Sequence, residues 1–280
     1  NPERLALSFS DKTVLGSYIA RLMPLLIALI IYQYEVSKKL YSLIAIILIF
    51  SDILVYLTGE RTAIGLMIIS TMLFIFLLSK YKYIRLVAVI ISVFGIIILS
   101  SIFPSIHKRN IQHTAYQIGL DTKDKNINLF SIQHESHFKS ALKMFNQNKI
   151  IGIGPNNFRK LCSEKEYNEN EWSCSTHPHN LFIQLLAETG FIGFSIIFAI
   201  LIKLSFLLMI HFKKLWIDKK SYLSDFKICL IICFILTLFP GLPSMNFFNS
   251  WINVIYYLPV GFFLYDYHNS IRKESKNKYQ

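Results

Sequence analysis

Long apolar segments separated by short polar ones dominate the pattern of this chain. A membrane-spanning helix needs about 20 predominantly apolar residues, and several segments approach that length. They lie at residues 15–34, 40–57, 63–79, 84–103, 180–210, 226–239 and 247–265. The sixth segment is short and ends at the helix-breaking cluster Pro240-Gly241-Leu242-Pro243. The pattern predicts an all-α polytopic membrane protein with about seven transmembrane helices and one large loop between the fourth and the fifth.

The basic residues give these predicted spans an orientation. Loops rich in lysine and arginine stay on the cytoplasmic side of a membrane. If the spans alternate, one side receives Lys38, Lys39, Lys80, Lys82, Arg85, Lys213, Lys214, Lys219, Lys220, Arg272, Lys273, Lys276 and Lys278. That side is then cytoplasmic, and residues 1–14, 58–62, 104–179 and 240–249 lie on the outer side.

The composition agrees with a membrane protein. Of the 280 residues, 53% are hydrophobic and 16% are charged, whereas a soluble domain is about 25% charged. The net charge of +12 is spread over the short loops, which argues against nucleic acid as a partner. The chain begins at Asn1 with a mixed polar segment, so we expect that further helices precede it in a longer protein. We divide it into N-terminal helices (1–103), an outer loop (104–178), C-terminal helices (179–266) and a cytoplasmic tail (267–280).

The outer loop contains a predicted amphipathic helix at residues 136–148. Its apolar residues follow the spacing i, i+3, i+4, i+7, which is typical of one helical face; they are Phe138, Ala141, Leu142 and Phe145. The helix either lies on the membrane surface or packs over the mouth of the helix bundle, and the two interpretations are compatible.

The four cysteines form two pairs. Cys162 and Cys174 bracket an acidic stretch, and we predict a disulfide between them in an oxidising outer compartment. Cys229 and Cys233 lie one helical turn apart in the sixth span, as reduced packing residues do. A zinc site built from Cys162, Cys174, His177 and His179 is an alternative, but this spacing matches no strong zinc pattern, and no metal is expected.

His179 is the leading candidate for chemistry. Pro178 suits a helix start and disfavours helix at His177, so His179 and Asn180 are predicted in the first turn of the fifth span. A helix N-terminus disfavours an imidazolium ion, and a neutral histidine can act as a general base. The free backbone N–H groups of the helix N-terminus can also bind phosphate. On spacing alone, the alternative of a helix cap with an interface histidine is favoured.

Three further features are candidates for binding an anion. Arg61 lies in a short outer turn, where its guanidinium can bind phosphate through two hydrogen bonds or can instead snorkel or pair with Glu60. The glycines Gly152 and Gly154, followed by Arg159, form a turn that can direct N–H groups at an anion or is simply a tight turn. His134 begins the loop helix, where it binds substrate or faces water.

Several of these residues form one longer pattern. His179 and Asn180 are followed, after nine residues, by Gly190 and Gly193. This arrangement resembles the signature of the O-antigen ligase and O-antigen polymerase superfamily of bacterial envelope glycosyltransferases. Further segments are similar to that family: Gly152-x-Gly154-x-x-x-Phe158, Arg61-Thr62-Ala63, and Gly16-Ser17-Tyr18 with Arg21. The resemblance covers essentially the whole chain, as the C-terminal two-thirds of the family.

The resemblance implies a GT-C-like membrane fold and transfer of a glycan from undecaprenyl pyrophosphate without metal or cofactor. The acceptor is a sugar hydroxyl of lipid A–core in ligases and the end sugar of another lipid-linked repeat in polymerases. By resemblance, His179 is the base and Arg61 holds the pyrophosphate at the periplasmic face of the bacterial inner (cytoplasmic) membrane. The chain departs from the family at His134, where members often carry arginine; either Arg159 substitutes for it or the correspondence is shifted by one turn.

Other functions share part of this pattern. A flippase or transporter of lipid-linked glycans has similar spans but does not need a histidine base beside an outer arginine. Internal inverted repeats would favour a transporter, and the sequence shows none. A scaffold leaves the histidine–glycine motif unexplained. We therefore expect a ligase-like glycosyltransferase, with an O-antigen polymerase or a protein O-oligosaccharyltransferase of the same superfamily as alternatives.

Overall fold

In the computed structural model, residues 14–112, 114–115 and 130–278 are described. Every regular element in these ranges is helical, as predicted. The helices are α1 (Leu15–Gln33), α2 (Lys38–Thr58), α3 (Arg61–Leu77), α4 (Lys82–Ile102), α5 (Pro104–His107), α6 (Ile132–Gln147), α7 (Phe158–Leu161), α8 (Leu181–Trp216), α9 (Asp225–Thr237) and α10 (Ser250–Lys278), with a π-helical turn at Lys108–Gln112. Residues 1–13, predicted on the outer side, and 116–129 of the long loop lie outside the described residues.

Each predicted span coincides with a helix, and local capping residues set the ends. The hydroxyl of Ser37 accepts the N–H of Leu40 at the start of α2, and Gly59 ends that helix in a left-handed conformation. Within the described ranges, α1, α2, α4 and α8 are long and apolar enough to cross a membrane. The count of seven spans stays a prediction, because α3 has 17 residues and α9 has 13. The last helix continues past the predicted span end at 265.

The core of the bundle lies around α1 and α9. Buried residues of α1, such as Ala20 and Ile27, pack with residues of α9, and the two helices are close neighbours. Cys229 and Cys233 are buried and unbonded in α9, as predicted. By contrast, α4 is largely exposed; Ile90 is 70% accessible. The residues that α4 buries are Arg85, Ala88 and Ser92, so its apolar side is the exposed one, as suits a helix that faces lipid.

Contacts between loops assign them to the two ends of the bundle. At one end, the Asp225 carboxylate accepts the backbone N–H groups of Ser79 and Lys80 at 2.8 and 3.0 Å. At the other end, the Glu60 carboxylate accepts the N–H of Gly16 at 2.7 Å. The α3–α4 turn and the start of α9 therefore share one end, and the start of α1 and the α2–α3 turn share the other. This is the arrangement expected of alternating spans. We call the second end the outer end.

The outer loop has a small core of its own. Helix α6 begins earlier than predicted, because the Ser131 hydroxyl caps it through the N–H of His134. Its buried face packs on residues of α7, of the following loop and of α8; the core comprises Ala141, Met144, Phe158, Cys162, Tyr167 and Ala187. Leu142, predicted on the apolar face, is 39% exposed. The contact with α8 supports the interpretation of a helix packed over the bundle.

Helix α8 is interrupted at Gly190, which has φ 62° and ψ −164°. The segment that follows α6 lies alongside the interruption. There, the N–H of Phe191 donates to the Lys149 carbonyl at 2.8 Å, and the N–H of Gly154 donates to the Glu188 carbonyl at 3.0 Å. These bonds join the outer loop to α8 and fix the height of α6 above the bundle.

Candidate active site

The position of His179 is set by the start of α8. Asn180 is the N-cap, and its side-chain oxygen accepts the N–H groups of Phe182 and Ile183 at 3.1 and 3.2 Å. The prediction that His179 lies in the first helical turn is therefore wrong, since it precedes the cap. Its backbone is left-handed, with φ 59°. Because the Asn180 side chain uses two of the first N–H groups, these groups are not available to a phosphate.

Four histidines meet at this point. His134 and His137 project from α6, and His177 and His179 come from the segment before α8. The ring centre of His179 lies 4.0 Å from that of His177 and 5.3 Å from those of the other two. We call these four residues the histidine cluster.

The histidine cluster is uncharged near neutral pH. Burial, together with the charges that the neighbouring histidines can carry, lowers the pKa of His179 to about 3. Burial likewise lowers the pKa values of His134 and His177 to about 4. Burial also lowers the pKa of His137, against an opposing hydrogen bond to the backbone of Cys174. Each ring therefore has one nitrogen with a lone pair to accept a proton.

Hydrogen bonds fix the histidines that surround His179. His177 Nε2 lies 3.1 Å from the carbonyl oxygen of Ser244, which only accepts, so Nε2 donates. His177 Nδ1 then accepts from the Thr176 hydroxyl at 2.9 Å. His179 Nε2 itself lies 3.0 Å from the hydroxyl of Ser175. Both ring nitrogens of His177 are thus engaged in hydrogen bonds within the fold. The partner of His179 is a hydroxyl that can either donate or accept.

A cavity of about 230 Å³ opens beside His179 at the outer end. Three arginines, from α1, from the start of α3 and from the π-helical turn, line it together with two histidines. The full lining is Val14, Ser17, Arg21, Gly59, Glu60, Arg61, Thr62, Arg109, His134, His179, Pro243, Ser244 and Met245. We call it the cationic pocket. It brings the predicted residues Arg61, His134 and His179 together.

The carboxylate in the cationic pocket is engaged with α1. Glu60 accepts the N–H groups of Gly16 and Ser17 at 2.7 and 3.1 Å. This contact requires a glycine, because a Cβ on Gly16 would lie 2.5 Å from the Thr58 hydroxyl and 3.2 Å from Glu60 Oε1. Glu60 therefore stabilises the positive end of the α1 dipole, and the α2–α3 turn is anchored beside Arg61.

Two arginines of the cationic pocket had not been selected from the sequence. Arg21 is 2% exposed, and its Nη1 donates to the Ser17 carbonyl at 3.3 Å. Arg109 reaches back from the outer loop, and its Nε donates to the Gly59 carbonyl at 3.2 Å. The signal for Arg21 was its place next to the Gly16-Ser17-Tyr18 segment. For Arg109 no local signal existed, because its partner is 50 residues away.

Arg159 lies elsewhere. It is exposed on α7, where its Nη2 donates to the Asn156 side-chain oxygen at 2.6 Å. It is not among the residues that line the cationic pocket, although its charge contributes to lowering the pKa of His177. The structure therefore does not place Arg159 as a substitute for the family's arginine at His134; Arg21 and Arg109 supply the additional positive charge.

The motif glycines shape the break in α8. A Cβ on Gly152 would lie 2.6 Å from the backbone nitrogen of Gly190, and Gly154 has φ 94°. A Cβ on Gly193 would lie 2.5 Å from the Thr189 Cβ. The N–H of Gly152 donates to the Asn148 carbonyl at 2.9 Å. The suggestion that this turn directs its N–H groups at an anion is therefore wrong for Gly152 and Gly154, whose N–H groups bond within the fold.

The structure pairs Cys162 with Cys174 in a disulfide, with the two Cα atoms 5.1 Å apart. The bond ties the segment that leads to His179 to the small core under α6. It also uses both thiols that the alternative zinc site would need.

The chain is similar to a known protein family. A family model described as O-antigen ligase matches residues 44–198, which is 155 of the 280 residues, or more than half of the chain. The matched range contains Arg61, Arg109, His134 and His179. No curated protein matches the chain. The chain thus belongs to the O-antigen ligase family of glycosyltransferase-type enzymes, and its apolar helices make it a multi-pass membrane protein.

Proposed function

We propose that this protein transfers a glycan from undecaprenyl pyrophosphate to a sugar hydroxyl of an acceptor such as lipid A–core, at the periplasmic face of the inner membrane. One observation carries the proposal: neutral His179 shares a cavity with Arg21, Arg61 and Arg109. Glycan transfer from a pyrophosphate needs a base for the acceptor hydroxyl and positive groups for the leaving group. The cationic pocket supplies both within one cavity.

The reaction follows from this arrangement. The acceptor oxygen attacks the anomeric carbon and forms the new C–O bond, while the bond from that carbon to the phosphate oxygen breaks. The electron pair leaves with the pyrophosphate, where the guanidinium groups offset its growing charge. His179 takes the proton from the acceptor hydroxyl. The base and the positive groups in this step are all side chains of the cationic pocket.

Donor binding adjusts the base. Burial and the neighbouring histidines lower the pKa of His179 to about 3, which keeps the ring neutral but makes it a weak base. A bound pyrophosphate places negative charge near the ring. Opposite charge favours the protonated ring, so the pKa of His179 rises when the donor is in place. The base is then strengthened at the stage when it is needed.

An apolar cavity next to the cationic pocket supports a lipid-linked donor. It has a volume of about 280 Å³ and lies between α2, α3 and α4. Along α3 it begins at Ile64, three residues after Arg61, and extends to Met72, so it reaches about 16 Å below Arg61. Ile68 and Met72 are each 54% exposed, which leaves its rim open to lipid. A cationic site above an apolar groove suits a phosphate ester of an apolar chain.

Ligase, polymerase and protein O-oligosaccharyltransferase chemistry need the same base and anion site, so the acceptor separates them. A transporter of lipid-linked glycans does not need the base. Because the residues that line the cationic pocket come from the outer end, the arrangement favours chemistry at one face over passage between two faces.

The test uses the full-length protein in proteoliposomes with lipid-linked glycan and candidate acceptors. We expect His179→Ala to slow transfer by about 10²–10⁴-fold, as for loss of a general base, and Arg61→Gln and Arg109→Gln to weaken transfer as well. His268→Ala and Arg272→Gln, on exposed positions of α10, are the matched controls and retain activity.

The same reactions discriminate the alternatives. Full transfer by His179→Ala would overturn the assignment of the base. Movement of lipid-linked glycan across the bilayer with no new glycosidic bond would favour a transporter. The acceptor that becomes modified identifies the protein as a ligase, a polymerase or a protein O-oligosaccharyltransferase.

A further inference from the structure

The environment of α8 changes at Gly190. Before the break, Leu181, Leu185 and Glu188 are buried against the outer loop and the bundle. Directly after it, Phe191 and Ile192 are 61% and 56% exposed. The part from residue 191 to residue 216 is about 39 Å long, which exceeds the roughly 30 Å of a bilayer hydrocarbon core. The exposed apolar part of α8 therefore begins at the break and is long and apolar enough to cross a membrane.

A second apolar pair lies at the same level. Ile150 and Ile151, in the turn after α6, are 68% and 72% exposed. The backbone holds them beside the start of the lipid-facing helix, because the N–H of Ile192 donates to the Ile150 carbonyl at 3.3 Å. We call Ile150, Ile151, Phe191 and Ile192 the wedge. Contiguous exposed apolar residues of this kind mark an interaction surface.

We infer that the wedge inserts into the outer leaflet and docks the outer loop on the bilayer. The surface continues directly into the lipid-facing side of α8, which is long and apolar enough to span a membrane. Lys149, next to the isoleucines, is exposed, and a lysine at this level can place its ammonium among the lipid phosphates. The residues before it, Asn146 to Asn148, are exposed and polar, so the insertion is shallow.

The wedge has a consequence for the site. It directly follows α6, the helix that carries His134 and His137, so it fixes the C-terminal end of that helix to the membrane. The cationic pocket is then held at a constant height above the lipid, where the pyrophosphate of a membrane-anchored donor lies. This consequence rests on the proposed function, whereas the insertion of the wedge does not.

The insertion is tested by fluorescence quenching with the full-length protein in nanodiscs. An environment-sensitive dye is attached to Ile151→Cys. The matched controls are Phe206→Cys, 57% exposed on the lipid-facing part of α8, and Lys160→Cys, exposed on α7. The quenchers are a phospholipid with a nitroxide near the top of its acyl chain and aqueous iodide. We expect the dye at 151 to be quenched by the nitroxide lipid and protected from iodide, as at position 206.

Two outcomes would overturn the inference. Quenching by iodide to the extent seen at position 160 would place the turn in water. Protection from both quenchers would show that protein, such as a second copy of this chain, covers the wedge. Because neither readout depends on glycan transfer, a failure here is distinct from a failure of the proposed enzymatic activity.

Discussion

Replacing Gly190 with alanine tests how the break in α8 supports the site. The backbone at Gly190, with φ 62° and ψ −164°, lies in a region that is essentially restricted to glycine. A Cβ there would lie 2.6 Å from the backbone nitrogen of Gly152 and would contact the carbonyl group of Ile150 even more closely. These neighbours are backbone atoms, so they cannot rotate away, and the loop after α6 must separate from α8.

The size of the effect follows from these contacts. Forcing a residue with a Cβ into this conformation costs about 1–3 kcal/mol. Separation also weakens the bonds that join the loop to α8, including those from Phe191 to Lys149 and from Gly154 to Glu188, at about 1 kcal/mol each. The sum is about 3–5 kcal/mol, which corresponds to a fall in the unfolding temperature on the order of 10 °C.

The assay is thermal unfolding of the purified full-length protein, followed by glycan transfer at a temperature where the variant is folded. Gly261→Ala is the matched control, because a Cβ at this helical position meets nothing within 4 Å. We expect the control to unfold at or slightly above the native temperature, since alanine favours a helix by about 1 kcal/mol over glycine. The reasoning fails if Gly190→Ala unfolds within a degree or two of Gly261→Ala.

Three further predictions concern other parts of the molecule. Asp225→Ala removes the carboxylate that accepts two backbone N–H groups of the α3–α4 turn. It should lower the free energy of unfolding by about 2 kcal/mol and leave the transfer activity of the folded protein unchanged. A loss of activity in folded protein would contradict the separation of the two ends of the bundle. Cys162→Ser combined with Cys174→Ser should cost about 3 kcal/mol for a loop of this length, and dithiothreitol should then lower the unfolding temperature of the native protein only. The pKa values of His134 and His179 are lower in the folded chain than the ordinary 6.5, so protons bind the unfolded chain better. The free energy of unfolding should therefore fall as the pH drops from about 6.5 towards 4. His134→Gln should flatten that fall, and an unfolding temperature that is constant over this range would refute the burial of the cluster.

Most helix ends of this protein could be predicted from its sequence to within a few residues, although α10 continues from the predicted end at 265 to Lys278. Each apolar run coincides with a helix because lipid offers no hydrogen bonds to the backbone, so run length and helix length are tied together. Helix starts were also encoded locally, since Ser37 and Ser131 each accept an N–H from the first turn that follows. The same local chemistry misplaced His179, because Asn180 is a better cap and leaves the histidine outside the helix.

The composition of the cationic pocket was only partly visible in the sequence. His179 and Arg61 were selected by their neighbours, and the structure places both at one cavity. Arg159 was selected by the same logic and lies outside that cavity. The motif glycines were interpreted as a possible anion site, whereas Gly152 and Gly190 meet each other at the break in α8. The local sequence pattern thus identified residues that matter to the protein, but it did not distinguish residues that line the cationic pocket from glycines that the packing requires.

The sequence by itself determined which segments are helices, which loops share a side and which residues are candidates for chemistry, because these properties depend on neighbours within a few turns. Tertiary structure alone decided which charges meet. Arg109 bonds to Gly59, which is 50 residues away in the sequence, and His134 of α6 meets His179 in the histidine cluster. Such contacts are set by how helices pack and where loops fold back. Periodicity along the chain carries no information about that packing.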